Sequence, residues 1–166
     1  MRTVHSGIVD TLIGFRSQRV TPAIAALRES DKADHHPHGY MFKEVPTELE
    51  HGEEFDAIGE TLSLMDQYGI EIGLVSHTMP ETPHALRDHP DRFIGFASVD
   101  PARPDAPKLL EHAIKDLGLR GLKLAPAMQE FFADDRMAYP LYEKAVELGI
   151  PILFHAGMSW EPGSRL

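Results

Sequence analysis

Four polar residues stand where apolar runs end, and their side chains could do chemistry there. They are His77, Asp100, Lys123 and His155. In parallel α/β folds the carboxyl ends of the strands form the edge where ligands bind. A neutral imidazole at His155 would suit a divalent ion, and the ammonium of Lys123 could polarise a carbonyl or hold a carboxylate. We therefore expect Lys123, His77 and Asp100 to be catalytic and His155 to bind a metal.

Each of these positions also has a structural explanation. Asp100 precedes Pro101 and could cap a turn, His77 could be a solvated loop residue, and Lys123 could lie on a rim. His155 is the strongest candidate because the small residues Ala156 and Gly157 follow it and leave room for a metal or a substrate.

Composition excludes several other kinds of chemistry. The chain of 166 residues has no cysteine, so disulfides, thiolate nucleophiles and cysteine zinc sites are absent, and His, Asp and Glu remain as metal ligands. A net charge of −10 argues against nucleic acid and anionic membranes as partners. No phosphate-binding glycine motif and no GxSxG motif follows any predicted strand. Without a signal peptide or an apolar span, we expect a cytoplasmic protein with a small-molecule substrate.

The elements that position these residues alternate between short apolar runs and segments of helical period. Predicted strands cover residues 8–13, 72–75, 93–99, 121–124 and 150–155. Predicted helices cover residues 54–68, 105–117 and 140–148, with shorter ones at 22–29 and 84–87. Asp105 is the expected N-cap of the second long helix. The three long helices each end at a glycine, namely Gly69, Gly118 and Gly149, which predicts left-handed caps.

Five strands joined in this way fit two α/β architectures. One is an open, five-stranded, doubly wound parallel sheet, which the chain length favours. The other is the amino-terminal part of a (β/α)8 TIM barrel, strands 1 to 5. Periodicity does not choose between them, but the strand order differs: 2-1-3-4-5 in the open sheet and 1-2-3-4-5 in the barrel. The connection over residues 16–53 is unusually long and predicts a functional or mobile segment.

Several of these stretches resemble the amidohydrolase-related family in consecutive order. They are PDRFIGFASVDP at 90–101, GLRGLKLAP at 118–126, YPLYE at 139–143 and LGIPILFHAG at 148–157. The resemblance covers residues 55–160 and shifts the preference to the barrel. It implies a metal-dependent enzyme, with Zn or Mn, that hydrolyses C–N, C–O or C–C bonds or decarboxylates. Its expected substrate is a small carboxylate, ester, amide or thioester.

The same resemblance implies an incomplete metal site. In the family, a strand 1 HxH, a histidine ending strand 5 and an aspartate on strand 8 hold the metal. His155 matches the strand 5 ligand, whereas Leu12 and Gly14 occupy the two HxH positions and strand 8 is absent. A zinc site needs at least three protein ligands, so we expect weak metal binding or none. The tract over residues 34–38, Asp-His-His-Pro-His, could replace the missing ligands or be a solvated loop.

Three functional hypotheses remain open at this stage: a truncated or degenerate enzyme, a non-catalytic assembly module, and, if the sheet is open, a receiver or ligand-binding domain. Residues 1–166 would form one partial barrel domain of a truncated or degenerate hydrolase or decarboxylase that is weakly active alone. The stretch from Asp10 to Phe15, together with residues 39–43, resembles a subgroup of acyl-CoA or β-ketoacyl-CoA hydrolases. Alternatively, the chain is a non-catalytic half-barrel that forms a homo-oligomer through its open sheet edges.

Overall fold

A computed structural model of the chain describes residues 7–15 and 56–156. Five strands lie side by side in chain order, β1 to β5, and every neighbouring pair is parallel. Their bounds are Ile8–Asp10, Ile70–Ser76, Phe93–Ala97, Gly121–Leu124 and Ile152–Phe154. The order 1-2-3-4-5 excludes the doubly wound sheet and confirms the barrel prediction.

Helices connect successive strands and cover one face of the sheet. Their bounds are Ala57–Gln67 (α1), Thr82–Asp88 (α2), Ala106–Lys115 (α3), Pro126–Gln129 (α4) and Tyr139–Leu148 (α5), with a 3₁₀ turn at Arg136–Ala138. The three long predicted helices are confirmed as α1, α3 and α5, each starting or ending within three residues of the prediction. The predicted helix at 22–29 and most of the long connection lie outside the described residues.

The glycines after the long helices adopt the predicted left-handed conformation. Gly69, Gly118 and Gly149 have φ values of 67°, 71° and 63°. A side chain is strained in this region, which explains why glycine ends each helix. The chain then turns back directly into β2, β4 or β5.

The structure refines two local predictions. Asp105 is the N-cap residue of α3, as predicted, but its side chain makes no capping hydrogen bond, because the Arg103 guanidinium binds both of its carboxylate oxygens at 2.9 Å. Strand β1 ends at Asp10, three residues before its predicted end. The Asp10 carboxylate accepts the Leu12 N–H at 2.9 Å, and this Asx-type turn bends the backbone out of the strand.

Strand alternation gives the sheet two different faces. On β4, Leu122 and Leu124 are fully buried in the cluster that also contains Leu110 of α3 and Leu141 of α5. Neighbouring strand residues point to opposite faces, so Lys123 lies on the other side of the sheet. We call that side, away from the helices, the concave face. In the described part of the chain, no helix is long and apolar enough to cross a membrane.

Candidate functional site

Lys123 is held on the concave face by a rigid strand. It lies in β4 between Leu122 and Leu124, which are both 0% exposed, so the backbone around it is anchored in the core. The side chain is half-buried, and burial lowers the pKa of its ammonium below the ordinary value. No described residue forms an ion pair or a hydrogen bond with its Nζ. The amine therefore lies in a partly desolvated position, and no carboxylate within residues 7–15 and 56–156 neutralises it.

An aromatic ring packs beside this lysine on the same face. Phe96 of β3 is paired in register with Gly121, two residues before Lys123. A Cβ added to Gly121 would overlap the Phe96 ring, which shows that the ring lies directly over this glycine. Phe96 is 6% exposed and belongs to neither helix-side cluster. The concave face therefore has an apolar floor next to the amine.

His155 lies on the same face of the neighbouring strand. Phe154 of β5 contacts Tyr142 of α5, with ring centroids 5.9 Å apart, and so points toward the helices. Leu153 and His155 consequently point to the concave face. Lys123 is paired with Leu153, and the His155 N–H donates to the Leu124 carbonyl at 2.7 Å. Lys123 and the exposed His155 thus stand near each other, with His155 closer to the carboxyl edge.

His77 lies at the carboxyl end of β2 but faces away from Lys123. Its backbone N–H donates to the Phe96 carbonyl, and the Ser98 N–H donates to its Nδ1, both at 2.9 Å. Accepting this bond at Nδ1 leaves the proton of the neutral ring on Nε2. Burial lowers the pKa of His77, although a backbone hydrogen bond with Phe96 opposes part of this shift. The ring is therefore held neutral between β2 and β3.

His77 and Asp100 line a separate groove along α3. This groove, of about 270 Å³, also contacts Arg103, Leu109 and His112. The Asp100 carboxylate accepts the Ala102 N–H at 2.8 Å, which is the turn-capping role considered from the sequence. The four predicted site residues thus form two pairs on different faces, Lys123 with His155 and His77 with Asp100.

Sequence reasoning missed this division and the role of Phe96. Following the alternation of side chains along each strand would have separated the two pairs. The buried leucines of β4 show which face of the sheet its other residues occupy. Glycine at position 121 was the only signal for Phe96, since a glycine within a strand often marks the close approach of another group.

Comparison with known proteins places the chain in a family. The sequence profile of the amidohydrolase family matches residues 81–165, about half of the chain. The chain belongs to the amidohydrolase family. Its five parallel strands form a curled half-barrel that corresponds to the amino-terminal part of the TIM barrel of this family. No protein with curated annotation matches the sequence.

Solved structures share this amidohydrolase fold at low sequence identity. The 5-carboxyvanillate decarboxylase of Novosphingobium aromaticivorans, with bound manganese, is 19% identical, with a TM-score of 0.60 over 92% of this chain and 51% of that one. The 2,6-dihydroxybenzoate decarboxylase of Rhizobium is 17% identical, with a TM-score of 0.57 over 93% and 51%. The chain therefore spans about half the length of these enzymes.

The described residues do not fit the manganese that the Novosphingobium enzyme binds. Leu12 is 52% exposed and offers no donor atom, and a Cβ added to Gly14 would meet nothing within 4 Å. Within residues 7–15 and 56–156, no three His, Asp or Glu side chains lie close enough together to hold an ion. His155 stays a predicted metal ligand. The histidines at 35, 36 and 38 lie outside the described residues.

Proposed function

We propose that this amidohydrolase-family chain acts on a small carbonyl-containing acid at the concave face of β4 and β5. The reaction is decarboxylation or hydrolysis, with Lys123 and His155 as the working groups. Lys123 polarises the carbonyl or holds the carboxylate, and His155 transfers protons or serves as a ligand. By itself the chain is expected to turn over slowly, because the family's strand 1 ligand positions hold Leu12 and Gly14.

One observation carries this proposal. Lys123 and His155 lie on the same face of adjacent strands, at the carboxyl end of a parallel sheet, which is where barrel enzymes bind their substrates. The other predicted pair, His77 and Asp100, makes hydrogen bonds to backbone N–H groups instead. These two residues remain predicted site residues, with a structural role already visible.

The test is turnover by the unmodified chain and by a His155→Ala variant. The substrate panel contains aromatic carboxylates, including 2,6-dihydroxybenzoate and 5-carboxyvanillate, together with simple esters, amides and acyl-CoA thioesters. We expect slow product formation that falls by roughly 100-fold or more in the variant, the size of a lost proton-transferring group. The matched control is His84→Ala on the exposed surface of α2.

Activity that survives His155→Ala would remove His155 from the site. Equal losses in His155→Ala and His84→Ala would indicate a general effect on the fold. Turnover of the thioesters alone would support the narrower resemblance to acyl-CoA hydrolases.

A second function is favoured by the exposed edge at β1. Ile8 and Val9 are 56% and 47% exposed, and β1 pairs with β2 alone among the described strands. An open parallel edge with apolar residues is suited to pairing with another chain. We propose as the alternative that the chain is a non-catalytic module that assembles through this edge.

Sedimentation velocity distinguishes this alternative from a monomer. We expect an oligomer that dissociates when Val9→Lys places a charge on the edge. A folded monomer at all concentrations would contradict assembly, and the control Val146→Lys changes a residue that is 81% exposed on α5.

A further inference from the structure

We propose that the Lys123 amine is a nucleophile that condenses with a small ketone or aldehyde to form an imine on the concave face. This inference rests on the proposed function, and it names the substrate class and the covalent step. Three features of the structure carry it: the fixed position of the lysine, the absence of a counter-ion among the described residues, and the apolar floor.

The position of Lys123 is unusual among the described lysines. Lys115 and Lys144 form ion pairs with carboxylates on α3 and α5, and Lys108 is exposed on α3. Lys123 alone lies within a strand, anchored by two fully buried neighbours. An amine on a rigid element can present its lone pair in one direction, which favours attack on a bound carbonyl.

The surroundings favour the neutral amine, which is the nucleophilic form. Phe96, Gly121 and Leu153 flank Lys123 on the concave face of β3, β4 and β5. Apart from Lys123, the one titratable group on this side of β3, β4 and β5 in the described part of the chain is His155, which follows β5 directly, and no described carboxylate pairs with the Nζ. Burial is the cause that lowers the pKa of Lys123. Lysines whose pKa is lowered by desolvation act as the nucleophile in Schiff-base catalysis.

The chemistry balances without a metal or a redox partner. The amine lone pair forms a bond to the carbonyl carbon, and the carbonyl oxygen, with one proton from the amine and one from solvent, leaves as water to give an iminium ion. With a 3-oxo acid, the iminium accepts the electron pair of the breaking C–C bond as CO₂ departs. The resulting enamine takes a proton from water at carbon, and hydrolysis returns the ketone and the free amine. The substrate class is therefore a small 3-oxo carboxylic acid.

Reductive trapping tests this inference on the unmodified chain. The protein is incubated with acetoacetate and cyanoborohydride at pH 7, and its lysine-containing peptides are quantified by mass spectrometry. We expect a secondary amine on Lys123 in several-fold higher yield than on Lys108, the internal control. The preference should shrink toward pH 11, where exposed lysines also lose their proton. Equal labelling of both lysines, or no labelling of Lys123, would overturn the inference.

Two variants separate this inference from the proposed function. Lys123→Arg keeps the positive charge but cannot form an imine, whereas Lys108→Arg is the matched surface change. If Lys123→Arg still decarboxylates acetoacetate, the covalent step is overturned. A role in which the positive charge at position 123 polarises the carbonyl would then remain. Trapping on Lys123 without any turnover would support imine formation and contradict the proposed function.

Discussion

His77 has a neutral ring because of its position between two strands. The Ser98 N–H needs an acceptor at Nδ1, and burial lowers the pKa of the ring below its ordinary value of 6.5. Unfolding therefore takes up a proton when the pH lies between the native pKa and 6.5. Since the unfolded chain binds more protons, this contribution to stability is present above pH 6.5 and is lost as the pH falls through the native pKa.

The first prediction uses a substitution that keeps the acceptor. In His77→Asn, the side-chain oxygen can still accept the Ser98 N–H but cannot titrate. We expect the free energy of unfolding, measured by urea denaturation from pH 7 to pH 5, to fall less steeply than in the unmodified protein. His84→Asn on exposed α2 is the control for the loss of a surface histidine. Identical slopes for all three proteins would contradict this explanation.

At the scale of single residues, the sequence identified candidate site residues but not the face of the sheet to which their side chains point. Lys123 and His155 were chosen because each stands in or after an apolar run, and that placement is confirmed by β4 and β5. His77 was chosen in the same way, but it faces the groove along α3. Which face a strand residue takes depends on the packing of its neighbours, and the helix contacts of those neighbours are not visible in a local pattern.

At the scale of elements, β4 shows how a glycine makes room for a site. Gly121 allows the Phe96 ring of β3 to lie close against the β4 backbone, and this contact forms the floor beside Lys123. The sequence predicted the bounds of β4 correctly because flanking signals mark both ends: Gly118 before it and Ala125-Pro126 after it. It could not show the ring contact, which joins residues on different strands.

The second prediction concerns that contact. Gly121→Ala would force the Phe96 ring out of its position, and we expect a loss of about 1–3 kcal/mol in the free energy of unfolding. Gly14→Ala is the matched control, because a Cβ there would meet nothing within 4 Å, and its effect should stay within about 0.5 kcal/mol. Urea denaturation midpoints measure both changes. Equal effects of the two substitutions would show that the ring contact is not tight.

At the scale of the whole molecule, strand order separates the two architectures that the sequence left open. Periodicity fits both a doubly wound sheet and a barrel segment, and chain length alone favours the sheet. The neighbours of β1 decide between them, because β1 pairs with β2 and lies at an edge of the five strands. Long-range pairing of this kind is set by the complete fold, whereas the helix-ending glycines could be predicted from local sequence.

The third prediction restores the family's metal ligands. Leu12 is exposed and Gly14 has open space around it, so Leu12→His/Gly14→His can add two imidazoles that with His155 make three. Three protein ligands are the minimum for a zinc site that keeps one position open. We expect the double variant to retain close to one equivalent of zinc after dialysis, as measured by elemental analysis, and the unmodified chain to retain much less.

The control for this prediction is the same double variant with His155→Ala, which should lose the added metal. A double variant that holds no more zinc than the unmodified chain would contradict the correspondence of Leu12 and Gly14 with the family's ligand positions. A full equivalent of zinc in the unmodified chain, lost in His155→Ala, would show that residues outside 7–15 and 56–156 complete a site.

The location of the site can be measured directly by following backbone amide NMR signals during titration with benzoate, a simple aromatic carboxylate. If substrates bind at the concave face, the largest shifts should occur at Leu122–Leu124 and Leu153–His155, and Lys123→Met should abolish them. Lys108→Met on α3 should leave the shifts unchanged. Shifts concentrated at Ser98–Arg103 and His112 along the groove, or no shifts at all, would contradict a substrate site built on Lys123 and His155.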